Sequence, residues 1–148
     1  MPQRYMLSDI TTAALQRSLS GAYARQLAIA DNLANIETPG YQAKEVSFEA
    51  SLRAAIRAER SASGMGTPTP SGRVPDCLGV GARRGSIEAV QPRVGPKNAP
   101  ARPDGNSVNL ETEMVAMSKN SLHYKMLARL LAKKLRMMRR AINGGSSE

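Results

Sequence analysis

Polar and apolar residues follow a helical period in two long stretches of the chain and lose it between them. Reading the C-terminal stretch in alternating steps of four and three selects Leu110, Met114, Met117, Ser121, Tyr124, Ala128, Leu131, Leu135, Met138 and Ile142. Nearly all are apolar, which makes a heptad seam of the coiled-coil kind. Leu122, Leu127 and Leu130 widen the apolar face beyond a narrow seam, so this helix is expected to meet more than one neighbour. The same spacing near the N-terminus selects Leu15, Leu19, Ala22, Gln26, Ile29, Leu33 and Ile36. Two such helices suit each other. The pattern predicts an all-α fold in which two long terminal helices form an antiparallel coiled-coil pair.

Punctuation residues set the boundaries. Pro39 disfavours helical geometry at Thr38, and Pro39-Gly40 fits the central places of a type II turn, so the first helix ends there. Ser47 is placed to cap a short helix with Phe48, Leu52 and Ile56 on one face and Arg53, Arg57 and Arg60 pointing away. Residues 61–105 hold eight Gly and seven Pro, the composition of a flexible or short-stranded insertion. Residues 106–143 hold neither. Asn109 or Ser107 is expected to cap the last helix, with Glu111 and Glu113 in its first turn and Arg139 and Arg140 near its end. The chain thus divides into an N-terminal helix (8–36), a turn with a short helix (37–60), the Gly/Pro-rich insertion (61–105) and a C-terminal helix (106–143). Two helices alone cannot cover so broad an apolar face, because the gain from burying a side chain is forfeited wherever it still meets water. The lone chain is therefore expected to be poorly ordered, and the missing cover to be another protein chain.

Composition agrees with helices and argues against chemistry. The 148 residues include no Trp, one Phe and four Tyr, so Ala, Leu, Met and Ile carry the apolar mass. One cysteine, Cys77, excludes an internal disulfide, and with one histidine, His123, it leaves no set of zinc ligands. His123 reads as a solvent-facing or packing residue, Cys77 has no activating neighbour, and Glu111 and Glu113 are spaced to point to different sides of a helix. No catalytic, cofactor or metal constellation remains, and a non-enzymatic protein is expected. No apolar run reaches the eighteen or so residues of a membrane span. Ser8, Asp9, Thr11 and Thr12 break up any secretory signal, so the protein is expected either to stay in the cytosol or to leave it without a cleaved leader.

Charge adds a question. The formal net charge is +9 and it grows toward the C-terminus, where Lys133, Lys134, Arg136, Arg139 and Arg140 cluster. A solvated helix face and helix-end complementarity explain the cluster. A basic nucleic-acid-binding helical protein and an amphipathic membrane-surface module are the alternatives, although aromatics to stack bases or anchor in lipid are missing.

Residues 31–41 carry a more specific signal. Asn32, Leu33, Ala34, Asn35, Thr38, Pro39, Gly40 and Tyr41 match in register a signature that resembles that of the bacterial flagellar rod and hook proteins. Residues 43–52 and 106–135 are similar to the proximal rod subgroup, so the likeness spans about residues 8–56 and 106–142. Ile36 departs from the small residue usual there, and 61–105 matches nothing in the family pattern. The resemblance implies a structural subunit of the basal-body rod, exported through the flagellar apparatus and ordered only as its terminal helices pack into a helical tube that transmits torque across the periplasm. Implied partners are copies of itself, other rod proteins, the protein joining rod to inner-membrane ring and the export apparatus, with no nucleic acid and no small-molecule substrate. The signature loop would contact adjacent subunits. The assembly seam would comprise Leu15, Leu19, Ile29, Leu33, Leu110, Met114, Met117, Tyr124, Leu131, Leu135, Met138 and Ile142.

Overall fold

The computed structural model describes residues 10–62 and 87–144. Among them the chain forms helix α1 (Ile10–Ala34), strand β1 (Lys44–Ser47), helix α2 (Glu49–Ala62), strand β2 (Arg93–Pro96) and helix α3 (Leu110–Ile142). Cys77 and most of the Gly/Pro-rich insertion lie outside the described residues.

Helix α3 spans the heptad run from Leu110 to Ile142 and begins four residues after the expected boundary at 106. The Asn109 carboxamide accepts the Thr112 N–H at 3.2 Å, Glu111 and Glu113 occupy the first turn, and Arg139 and Arg140 occupy the last. Ser107 has a different task, accepting the Ala43 N–H on its hydroxyl at 2.9 Å. Helix α1 ends at Ala34, two residues before the expected boundary, because the carbonyls beyond it turn to other donors described below.

Helices α1 and α3 run antiparallel along each other. Asn32 near the end of α1 bonds Glu113 near the start of α3, and further along Asn120 donates to the Ala22 carbonyl (2.9 Å) and to Gln26 Oε1 (2.8 Å). Ala22 and Ile29 of the N-terminal heptad are buried, and Leu15, Leu19 and Leu33 are half-buried. On α3 the buried line is Glu113, Asn120 and Leu127. Met117, Leu131 and Met138 are half-buried beside it, whereas Leu110, Met114, Tyr124, Leu135 and Ile142 are exposed. At about 100° per residue the observed line is turned roughly 60° from the apolar seam. It turns because Glu113 and Asn120, although polar, find partners inside, and this leaves much of the seam without cover from its own chain.

The expected all-α architecture needs a correction, since β1 and β2 form a two-stranded antiparallel sheet pairing Val46 with Val94 and Lys44 with Pro96. Only Val46 of the four β1 residues points into the core, so the strand has one apolar position and no periodic signature. Ser47, expected to cap the short helix, is instead the last strand residue. Phe48 takes the cap position, its carbonyl accepting the Leu52 N–H at 2.9 Å. The exposed Arg53, Arg57 and Arg60 and the buried Leu52 follow the predicted faces.

Phe48 is the centre of a small core with Ala28, Val46, Leu52, Ala55 and Ile87. Its ring lies against Gly21, where an added Cβ would sit 2.5 Å from three ring carbons. Gly21 is thus a seat for Phe48 inside a continuous helix. Gly21→Ala gains up to about 1 kcal/mol in helix propensity, yet it should lower stability by roughly 1–3 kcal/mol through overpacking. Urea denaturation checks this, and the substitution should become neutral or stabilising in a Phe48→Leu background.

The Arg25 guanidinium stacks 5.2 Å from the Phe48 ring centroid, donates to the Val46 carbonyl at 3.0 Å and pairs with Glu49. Partial burial pushes the Glu49 carboxyl up, but the hydrogen bonds from Arg25 and the backbone outweigh it and hold the group below the usual carboxylate range. A depressed folded-state pKa contributes stability above the unfolded value of about 4.3 and loses it as pH falls through the folded one. Denaturation midpoints of the native chain and Glu49→Gln should therefore differ at neutral pH and converge in acid. A pH-independent difference would count against the pairing.

Candidate functional site

The signature residues fold into a bracket where α1 meets the start of α3. Asn32 has no exposed surface. Its Nδ2 donates to the Lys44 carbonyl at 2.9 Å and to Glu113 Oε2 at 3.1 Å, and its Oδ1 accepts the Lys44 N–H at 2.8 Å and the Tyr41 hydroxyl at 3.3 Å. The amide pairs both backbone groups of Lys44 as a neighbouring strand would, so α1 is fastened to β1 through one side chain. Glu113, buried on α3, completes the join by accepting Lys97 Nζ at 2.7 Å. Helix, strand, insertion end and C-terminal helix thus converge on one amide.

The loop after α1 is equally specified. The Tyr41 N–H reaches the Thr38 carbonyl at 3.3 Å and Gly40 has φ +73°, which is the turn that Pro39-Gly40 predicts. Asn35 secures the helix end by donating its side chain to the Asp31 carbonyl at 2.8 Å and accepting the Thr38 hydroxyl at 3.3 Å. The carbonyls of Asn35, Ile36 and Thr38, in the loop that follows α1, all converge on Asn106 Nδ2 at 2.9–3.0 Å. Asn106 is fully buried, and its Oδ1 accepts the Val108 N–H at 2.7 Å. Gly105, with φ +79°, lies against the backbone of Gly40, and the Gly40 N–H bonds the Asp104 carbonyl at 3.0 Å. Ala34, Thr38, Pro39 and Gly40 remain exposed at the apex, Leu33 and Tyr41 are half-buried, and Lys44 pairs with Asp31, whose hydrogen bond raises the lysine pKa.

All eight signature residues therefore lie at this bracket, and the seam residues extend away from it along α1 and α3. Asn106, Lys97 and Glu113 belong to the same site, and sequence reasoning missed their roles. The one available signal was the Asn-Ser-Val-Asn run at 106–109, which reads as a helix cap and doubles as the clamp on the preceding loop. A cleft of about 400 Å³ opens beside the bracket, lined by Arg25, Ile29, Lys44, Lys119, Asn120 and His123 among others. Among the described residues no group of three His, Cys, Asp or Glu could hold a metal, and no helix is long and apolar enough to cross a membrane. The geometry fixes where two long helices meet and what they show outward.

No family model matches the chain. Individual relatives do. The chain is 32% identical over 133 residues to the flagellar basal body rod protein FlgB of Salmonella typhimurium, an alignment covering 88% of this chain and 91% of that protein. The chain belongs to the FlgB family. It is also 29% identical over 135 residues to the FlgB of Escherichia coli, with 88% and 91% covered. The FlgB of Bacillus subtilis matches at 26% over 131 residues, with 88% and 92% covered. These alignments reach beyond the signature into most of the chain. With FlgB kinship established, the basic C-terminal helix no longer calls for a nucleic-acid or membrane-surface partner.

Proposed function

We propose that this chain is a non-enzymatic structural subunit of the proximal rod of the flagellar basal body, in which α1 and α3 pack as coiled-coil layers of a helical tube. The observation that carries this reading is the exposed apolar length of α3 on a FlgB-type chain. Leu110, Met114, Leu135 and Ile142 are each 46–66% exposed, and a lone soluble protein gains nothing from holding such residues in register along one helix. Burying them between subunits supplies the free energy of assembly. The bracket around Asn32 fixes how the two helices lie against each other, and its exposed apex, Thr38 to Gly40, is the surface offered to adjacent subunits. Partners in this reading are further copies, other rod proteins, the rod-to-ring junction protein and the export apparatus that delivers the chain.

Deletion of the gene followed by electron microscopy of purified basal bodies tests the reading. The expected result is loss of the rod and of every structure beyond the inner-membrane ring. Complete basal bodies in the deletion strain would refute it.

A further inference from the structure

Helix α3 carries a second exposed apolar line that the assembly seam does not use. Val115, Leu122, Met126, Leu130 and Met137 are 49–62% exposed. At about 100° per residue they fall within an arc of roughly 80°, about a third of a turn from the buried Glu113, Asn120 and Leu127. Lys125, Arg129 and Arg136 stand between this line and the seam, and Lys119, Lys133 and Arg140 lie along it. Residues 114–142 hold eight basic residues and no acidic one. The line is thus a face on which apolar and cationic residues are interspersed, with further cations between it and the seam.

That chemistry selects the neighbour. A second α3 would bring cation against cation, which suppresses pairing. The outward positions of α1, among them Gln16, Ser20, Tyr23, Leu27 and Ala30, carry a single carboxylate, Asp31 at the helix end, and it pairs with Lys44. The two acids of α2 are engaged, Glu49 with Arg25 and Glu59 with the Ile87 N–H, while Arg53, Arg57 and Arg60 face outward. Among the described residues, no helix of another copy offers a row of acids. We propose that the line from Val115 to Met137 docks an acidic amphipathic helix of a different protein, whose apolar residues cover Leu122 and Met126 while its carboxylates meet Lys119, Arg129 and Lys133. The location of that partner in the basal body rests on the rod-subunit reading, whereas its chemistry does not.

Photoreactive benzoylphenylalanine placed at Leu122 or at Met126 in the full chain, irradiated in living cells of the native host, tests this. Cross-linked peptides are then sequenced by mass spectrometry from whole cells and from purified basal bodies. The expected adduct joins a different protein through a segment with helical apolar spacing and net negative charge. Combining Lys119→Glu, Arg129→Glu and Lys133→Glu should lower its yield roughly tenfold. Adducts to this same chain, to lipid or to a neutral or basic segment, an absent adduct, or a yield indifferent to the triple variant would each overturn the proposal. A chain missing from basal bodies would refute the rod reading alone, because the whole-cell adduct still decides what the line binds.

Discussion

Asn32→Asp is expected to destabilise the free chain by about 3–5 kcal/mol, the cost of leaving an uncompensated charge in a buried site, and to abolish rod formation with it. The substitution changes one atom of the side chain but removes both donated hydrogen bonds, to the Lys44 carbonyl and to Glu113. It also sets an oxygen where the amide now lies 3.1 Å from a carboxylate, in a position with no exposed surface. The loss is a fifth or more of the stability of a typical domain, about 5–15 kcal/mol. The new carboxyl would be driven to hold a proton by burial and by its charged neighbour, so its folded-state pKa rises above the unfolded value. The penalty is therefore full at neutral pH and shrinks as pH falls through that raised pKa. Urea denaturation at several pH values checks both the size and the sign. An unchanged midpoint at neutral pH would mean that the amide is not the joint between α1, β1 and α3.

Leu135→Asp should behave in the opposite way. Leu135 is 47% exposed, so the purified chain should keep its stability within about 0.5 kcal/mol, as surface substitutions generally do. Incorporation into the rod should nonetheless be lost, because an unpaired charge in an interface costs several kcal/mol to desolvate. Swimming on soft agar and electron microscopy of basal bodies report the outcome. Normal motility with intact rods would exclude position 135 from any contact between subunits. Together the two variants separate residues that build the subunit from residues that join it to others.

The long helices and their limits were legible because their signals are local. Heptad spacing, the Asn109 cap and Pro39-Gly40 each act within a turn or two of chain. The sheet was not, since β1 contributes one buried side chain, Val46, and its partner residues lie some fifty positions later. The direction in which α3 faces its own chain was also hidden. Apolar patterning places Leu110 and Met114 on the seam and takes no account of Glu113 or Asn120, whereas hydrogen bonds from Asn32 and Lys97 make Glu113 a buried residue. Gly21 reads as a helix interruption until Phe48 is found seated on it. The signature residues could be identified by type and order, but Asn106, some seventy positions away, is what holds the loop they form.

The central claim is that apolar surface left open on α3 becomes buried between subunits. Maleimide labelling of Leu135→Cys in a Cys77→Ser background measures it most directly, comparing the purified chain with intact basal bodies. The account predicts ready labelling of the free chain and protection by roughly tenfold or more once assembled, as expected for a site opened only by local unfolding. Equal labelling in both would contradict it.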